Sequence, residues 1–454
     1  MPIVDTVLDG RGVGKWDGKV AFVHNALPGD TVTIRVYRKA RGYFEADATV
    51  WHTQSDYRQV PVCQHFGVCG GCKWQHMAYP GQLAFKEKQV YDALDRIGGV
   101  DILERHPILP APEPLYYRNK LEFSFANRRW YARPDERAAD ADERVVGYHV
   151  PRFFDKVIEI TECHLQRPAI NAIRNAVQAY GRAHDLTFYD AREKQGFLRN
   201  LVFRTSEATG ELLVLLIVGE DNDALLSPLV DHLKATFPAI TSLLTLYNPK
   251  LNDSYTDLSP RPWYGPAGIE EQLGRYRFFI SPTSFFQTNS RQAERLYAAA
   301  HRMLGERVPV LYDLYCGAGT IGIYCAELAE RVVGVEYVAS SVADAERNVA
   351  LNGLSHFSFH HGDLGKLLTD AFADAVGRPD HIVVDPPRAG MAPQVVDQLR
   401  HLRARRVVYV SCNPATLARD LQLLSDTYAV AEVQPVDMFP QTSHVEAVAR
   451  LELR

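Results

Sequence analysis

Cys412 stands in Val410-Ser-Cys412-Asn-Pro414, and a second loop rich in proline reads Asp385-Pro-Pro-Arg388-Ala-Gly390. An aromatic after Asp-Pro-Pro would suit a base whose exocyclic amine is modified; here Arg388 takes that place and a thiol is supplied instead. Such a set calls for a reaction that needs a nucleophile. Carbon 5 of uracil is not nucleophilic enough to attack a methyl sulfonium, but a thiolate added at carbon 6 turns the ring into an enolate whose carbon 5 can. Closing the cycle requires a base for the proton on carbon 5. Glu446, in Thr442-Ser-His-Val-Glu446, is the candidate. His444 ranks behind it, because a lone histidine two residues from a carboxylate is more often structural. The plain reading of Cys412 is an inert buried thiol at a strand end, and Asn413-Pro414 with its partner loop weighs against that.

The methyl donor needs its own site. Asp313-Leu-Tyr-Cys-Gly317-Ala-Gly319-Thr-Ile-Gly322 formally fits G-x-G-x-x-G, a pattern shared by dinucleotide and S-adenosylmethionine folds. Asp313 just before the loop would repel a pyrophosphate but suits an amino group and a sulfonium, which favours S-adenosylmethionine. Glu336 ends the next strand, where an acid can accept from ribose hydroxyls. Asp363 follows the third, near the place of an adenine. Alone, Asp363 reads more readily as a helix N-cap.

A separate constellation, Cys63-Gln-His-Phe-Gly-Val-Cys69-Gly-Gly-Cys72, puts three thiols in one glycine-loosened loop. Cys163 is the remaining cysteine outside the C-terminal part of the chain, so it is the candidate fourth ligand. Four thiolates suit zinc or an iron-sulfur cluster, and spacing leaves both open. His65 and His76 could replace a thiol in a zinc site. Cys316 and Cys325 read as core residues.

These residues must be positioned by about three domains, at the usual ~150 residues each for a chain of 454. The N-terminal segment, 1–56, reads as short strands at 19–23, 31–37 and 44–51, a small β-barrel. The stretch 31–44 carries Arg35, Arg38, Lys39 and Arg41 interleaved with Tyr37, Tyr43 and Phe44. That mixture grips phosphates and stacks on unpaired bases, or forms a solvated edge. A helix is expected at 83–96, then a junction at Pro107-Ile-Leu-Pro-Ala-Pro-Glu-Pro114, then an α+β domain with a solvated polar loop at 133–144. From about 290, strands alternate with helices, the pattern of a doubly wound α/β sheet with its crevice beyond the carboxyl ends of the strands.

Bulk properties bound the rest. With 46% hydrophobic and 23% charged residues the composition is globular. No apolar run approaches the ~20 residues of a membrane span, and no export signal opens the sequence. A cytoplasmic protein without a membrane or an obligate protein partner is expected. The net charge of -5 means that any nucleic-acid surface is local.

Together the motifs resemble the bacterial 23S rRNA uracil-5 methyltransferase family over nearly the whole chain. The resemblance implies a class I methyltransferase domain of Rossmann-like fold at 286–454, a TRAM barrel of the OB type at 1–56, and a central α+β domain at 57–285. It implies a [4Fe-4S] cluster on Cys63, Cys69, Cys72 and Cys163, and prefers it over zinc. It further implies that Gln287, in Phe285-Phe-Gln-Thr-Asn289, contacts S-adenosylmethionine with Tyr315, Glu336, Asp363 and Asp385, while Cys412 is nucleophile and Glu446 base. Two positions depart from the pattern: Tyr315 stands where phenylalanine is frequent, and Gln441 where many relatives carry histidine. The substrate implied is 23S rRNA. A tRNA uracil-5 methyltransferase would need the same Cys412 and Glu446, and a non-catalytic RNA-binding iron-sulfur sensor would need neither.

Overall fold

The structure, a computed structural model, describes residues 1–133 and 135–454. Strands β1 (Ile3–Thr6), β2 (Gly12–Trp16), β3 (Lys19–His24), β4 (Thr31–Ala40) and β5 (Tyr43–Thr53) form a sheet of order β1-β2-β3-β5-β4, and a bridge from Pro2 to Thr31 brings its two ends together. Its core is small: Ile3, Ala21, Val23, Ala26 and Val32. Asp30, 1% exposed, accepts from the backbone N–H groups of Leu27 and Ser55 and pairs with Arg58, so the barrel's exit is tied by one carboxylate.

Helix α1 (Tyr79–Ala93) starts with proline in its first turn and ends in a π turn at Leu94–Gly98. Strand β6 (Ile102–Arg105) follows. Eight strands then make the central sheet: β7 (Lys120–Ala126), β8 (Arg129–Trp130), β9 (Val145–His149), β10 (Val157–Glu159), β11 (Leu198–Thr205), β12 (Leu212–Val218), β13 (Ser242–Tyr247) and β14 (Arg261–Tyr264). Their order is β14-β13-β12-β11-β7-β9-β10-β8. Strands β11 and β12 are buried throughout, because α2 (Pro168–Ala183) and α3 (Asp223–Thr236) pack in the cluster on one side while the C-terminal part covers the other. A hairpin of β15 (Ile269–Leu273) and β16 (Tyr276–Ile280) leads to α4 (Ser290–Leu304), which is N-capped by Asn289.

The C-terminal sheet holds parallel strands β17 (Val308–Leu314), β18 (Ala329–Glu336), β19 (Phe357–His361), β20 (His381–Val384) and β21 (Arg406–Ser411), with β22 (Tyr428–Val436) and β23 (Glu446–Leu453). Their order is β19-β18-β17-β20-β21-β23-β22-β6. Helices α5 (Thr320–Tyr324), α6 (Ala339–Leu351), α7 (Leu364–Leu367), α8 (Asp370–Val376), α9 (Pro393–Leu402) and α10 (Pro414–Leu424) make the crossovers. Two apolar clusters line the faces of this sheet. The order reverses between β17 and β20, and the switch point opens the crevice. The expected doubly wound α/β fold is present. The sequence pattern did not anticipate β6, which precedes the proline-rich segment yet pairs with β22, while Leu109 bridges Val436. No helix of the described residues is long and apolar enough to cross a membrane.

Candidate active site

The first turn of the crevice is built around Asp313. Its carboxylate accepts from the N–H of Gly322 at 2.9 Å, and a Cβ at Gly322 would stand 2.6 Å from that same oxygen. Gly317 and Gly319 take positive φ, and so does Tyr315, at 59°. The strand thus curls away from its sheet before α5 begins. Glu336 holds the curl from the next strand, accepting from Gly317 N at 3.0 Å and Val338 N at 2.8 Å. Asp363 caps α7 through Gly365 N, the local role its position suggested.

Gln287 is buried in the segment that enters α4. This segment is gripped from the central sheet. Asn119 donates to the carbonyl of Gln287 at 2.9 Å and to Ser290 Oγ at 2.8 Å, and the buried Arg204 donates to the carbonyls of Pro282 and Ser284. Neither Asn119 nor Arg204 was singled out from sequence, since only the fold brings them to a loop more than 75 residues away.

The two catalytic candidates come from neighbouring antiparallel strands. Cys412 follows β21, Glu446 opens β23, and Ser411 pairs with Ala447. Asn413 caps α10 and donates to the carbonyl of Arg388 at 3.0 Å, with Thr416 Oγ1 on the same oxygen at 3.4 Å. The proline loop and the cysteine loop are therefore one unit. Arg388 also lies 3.4 Å from His444 Nδ1.

Electrostatically the crevice is crowded with acids. Burial pushes Asp313 up to about 7, with Asp385 and Glu336 adding repulsion. Asp385 keeps some exposure to the crevice, but the walls around its carboxyl still lift it to about 7. Glu446, 3% exposed, is raised well above the usual carboxylate range by burial and then by Asp385. Burial raises the Cys412 thiol to about 12, Glu446 and Asp385 add to this, and Arg388 opposes it. His444 has an exposed edge; its packed face and then Arg388 push it down to about 4, leaving a weak base. Buried carboxylates without a partner cation make a donor set that favours a bound cation. A sulfonium with an ammonium fits it.

The loop that leads into Glu446 is held from outside its own sheet. The carbonyl of Gln441 accepts from the N–H groups of Lys73 and Trp74, its N–H donates to Gln82 Oε1 at 2.8 Å, and its side chain meets Gln82 and the carbonyl of Pro114. Lys86 and Asp437, both fully buried, pair at 2.5 Å, and Lys86 also donates to the carbonyl of Phe439. Ser443 Oγ donates to the carbonyl of Leu8 in the barrel at 2.6 Å.

Cys63, Cys69, Cys72 and Cys163 line one cavity of about 70 Å³, and all are free thiols. Its wall includes His65, Arg118 and Tyr148. His65 is engaged by Thr161, and His76 lies outside the cavity, its ring tilted against Phe66. Among the described residues, Glu104, His106 and Glu432 are the only three His, Cys, Asp or Glu ligand atoms within 4.8 Å of one another. That trio is an ion-pair network with Arg302 and Arg450. Hence no three of the four sulfurs are that close.

Known proteins agree with this architecture. The family model described as tRNA (Uracil-5-)-methyltransferase matches residues 268–454, and that of the TRAM domain matches 6–49. An uncharacterized RNA methyltransferase of Bacteroides thetaiotaomicron is 45% identical, covering 98% of this chain and 99% of its own. One of Porphyromonas gingivalis is 42% identical over 99% of each. The crystal structure of Pyrococcus abyssi tRNA (uracil-54, C5)-methyltransferase in complex with S-adenosyl-L-homocysteine aligns with a TM-score of 0.76 at 28% identity, over 99% of both chains. The chain belongs to the tRNA (uracil-5-)-methyltransferase family, carries an N-terminal TRAM domain, and is an S-adenosylmethionine-dependent methyltransferase of carbon 5 of uracil in RNA.

Proposed function

We propose that the chain methylates a uridine of 23S rRNA through a covalent adduct on Cys412, with Glu446 as the base. The observation that carries the mechanism is the pairing of β21 with β23, which sets the loop of Cys412 beside Glu446 at the end of one crevice. S-adenosylmethionine, when bound, supplies an electrophilic methyl group, and Gln287, Tyr315, Glu336, Asp363 and Asp385 are the residues proposed to hold it. As thiolate, Cys412 bonds to carbon 6 and the displaced pair makes carbon 5 nucleophilic. Once carbon 5 carries the methyl, Glu446 takes its proton, the 5,6 double bond re-forms, and the thiolate leaves. Arg388 favours the thiolate before attack and opposes the two carboxylates that disfavour it.

The four cysteines are assigned to a [4Fe-4S] cluster. A tetrahedral zinc with Zn–S near 2.3 Å would draw its sulfurs to about 3.8 Å from one another. No three of these sulfurs lie within 4.8 Å, wider than a tetrahedral zinc needs. Iron and acid-labile sulfide in the anaerobically purified protein test this, and stoichiometric zinc in a colourless protein would overturn it.

The barrel and the cysteine knot argue for ribosomal RNA. A second reading, tRNA, is carried by the Pyrococcus abyssi enzyme, a tRNA methyltransferase by name that aligns over 99% of this chain. Methyl transfer from labelled cofactor to 23S rRNA and to tRNA transcripts separates them. Label in rRNA is expected; label confined to tRNA would reverse the assignment.

A further inference from the structure

Arg174, on α2, is 1% exposed and meets no carboxylate within 4.0 Å among the described residues. Its Nη1 donates to Asn171 at 2.9 Å and Nη2 to Asn175 at 3.1 Å, the guanidinium lies 4.9 Å from the centroid of Phe123, and Nε has no partner. Both amides belong to its own helix, and Asn175 Nδ2 in turn donates to the carbonyl of Thr161 at 3.1 Å, two residues before Cys163. The acids on this side are engaged elsewhere: Glu159 with Arg129 and Arg182, Glu162 facing His164. An uncompensated buried cation is costly. It stands behind the cysteine cavity, whose wall carries Arg118, and is joined to that wall through one shared acceptor. Asn171 Oδ1, which accepts from Arg174, also accepts the backbone N–H of Cys163 at 2.9 Å. Burial weakens the hold of Arg174 on its proton, and Cys163 is the group that most opposes this loss.

We propose that Arg174 is a buried counter-cation, behind Arg118, of the centre held by Cys63, Cys69, Cys72 and Cys163, and that it raises the reduction potential of that centre. The inference rests on the cluster assignment above. Four thiolates around a [4Fe-4S] core of charge 2+ leave two negative charges in the cavity, and reduction adds a third. Net charge and burial set such potentials, and a fixed cation nearby favours the electron.

The test compares wild type, Arg174→Met and Arg174→Lys, each purified anaerobically, by iron and sulfide content and by a redox titration of the cluster. Loss of the charge is expected to make reduction at least tenfold less favourable, a negative shift of about 59 mV for a one-electron couple. Arg174→Lys is expected to recover more than half of that shift, which a purely structural role would not produce. Should the Met variant fail to fold, Arg174→Gln, which keeps a donor for Asn171, carries the same expectation. Wild-type iron content with an unchanged midpoint in the uncharged variant overturns the assignment of Arg174 alone. Wild-type protein without iron and sulfide overturns the cluster reading, and this inference falls with it.

Discussion

At the scale of single residues, the crevice is a place where charge has been gathered at a cost and awaits a cation. Asp313 and Asp385 both sit near 7 instead of 3.8. Below 7 they hold protons that must leave before a sulfonium and an ammonium can pair with them. Cofactor affinity is therefore expected to rise with pH from 6 to 8, by up to about tenfold per unit for each proton released. Calorimetry in buffers of different ionisation enthalpy would read the proton count, and an affinity flat with pH would refute it. The same raised values act on the cofactor-free fold in the opposite sense: its stability from these groups is full at low pH and is lost as pH climbs through 7. For Cys412→Ala, loss of turnover by at least about 10³-fold with cofactor binding retained is expected, following the cost of removing a covalent nucleophile; near-normal turnover would refute covalent catalysis. Cys412, Glu446, Asp313 and Glu336 could be picked out as candidates from sequence because each stands in a local motif. Gln82 and Lys86 could not, because their partners Gln441 and Asp437 lie 359 and 351 residues away.

At the scale of elements, the loop that leads into Glu446 is a shared structure. It leaves β22, is pinned by Lys86 and Gln82 of α1 and by the backbone after Cys72, and returns as β23. Lys86→Met strands the Asp437 carboxylate in a dry site and is expected to cost about 3–5 kcal/mol. The double variant Lys86→Met with Asp437→Leu should regain most of it. Urea unfolding of the single and double variants checks this, and a double variant no better than the single one would contradict it. Gln441 spends its N–H, carbonyl and amide on holding this loop. The alternation of strands and helices after residue 290 showed the doubly wound sheet, since a parallel sheet with helical crossovers writes its period into the chain. Strand β6 escaped notice: four residues, Ile102–Arg105, carry no period of their own, and what makes them a strand is the exposed edge of β22.

At the scale of the molecule, an acidic chain binds RNA through local surfaces. The exposed strand β4 carries Arg35, Tyr37, Arg38 and Lys39. Arg152 of the central part reaches across to lie 4.3 Å from the Tyr37 ring and 3.2 Å from His24. Arg35→Gln with Lys39→Gln is expected to weaken RNA binding and to reduce the slope of log affinity against log salt by about 1 for each phosphate that is no longer neutralised. Cofactor binding should be untouched. A salt slope equal to that of wild type would place the RNA elsewhere. The barrel meets the catalytic part directly, through Leu8 on Ser443, so RNA held there lies next to the loop that leads into Glu446.

The central claim is that sulfur 412 bonds to the target base, and 5-fluorouridine tests it most directly. Fluorine cannot leave carbon 5 as a proton does, so the adduct formed with cofactor and fluorinated RNA should survive. Peptide mapping by mass spectrometry should then find the methylated fluoropyrimidine on Cys412, and no such species in Cys412→Ala. RNA joined to a different side chain, or steady methylation with no trapped adduct at all, would contradict the account.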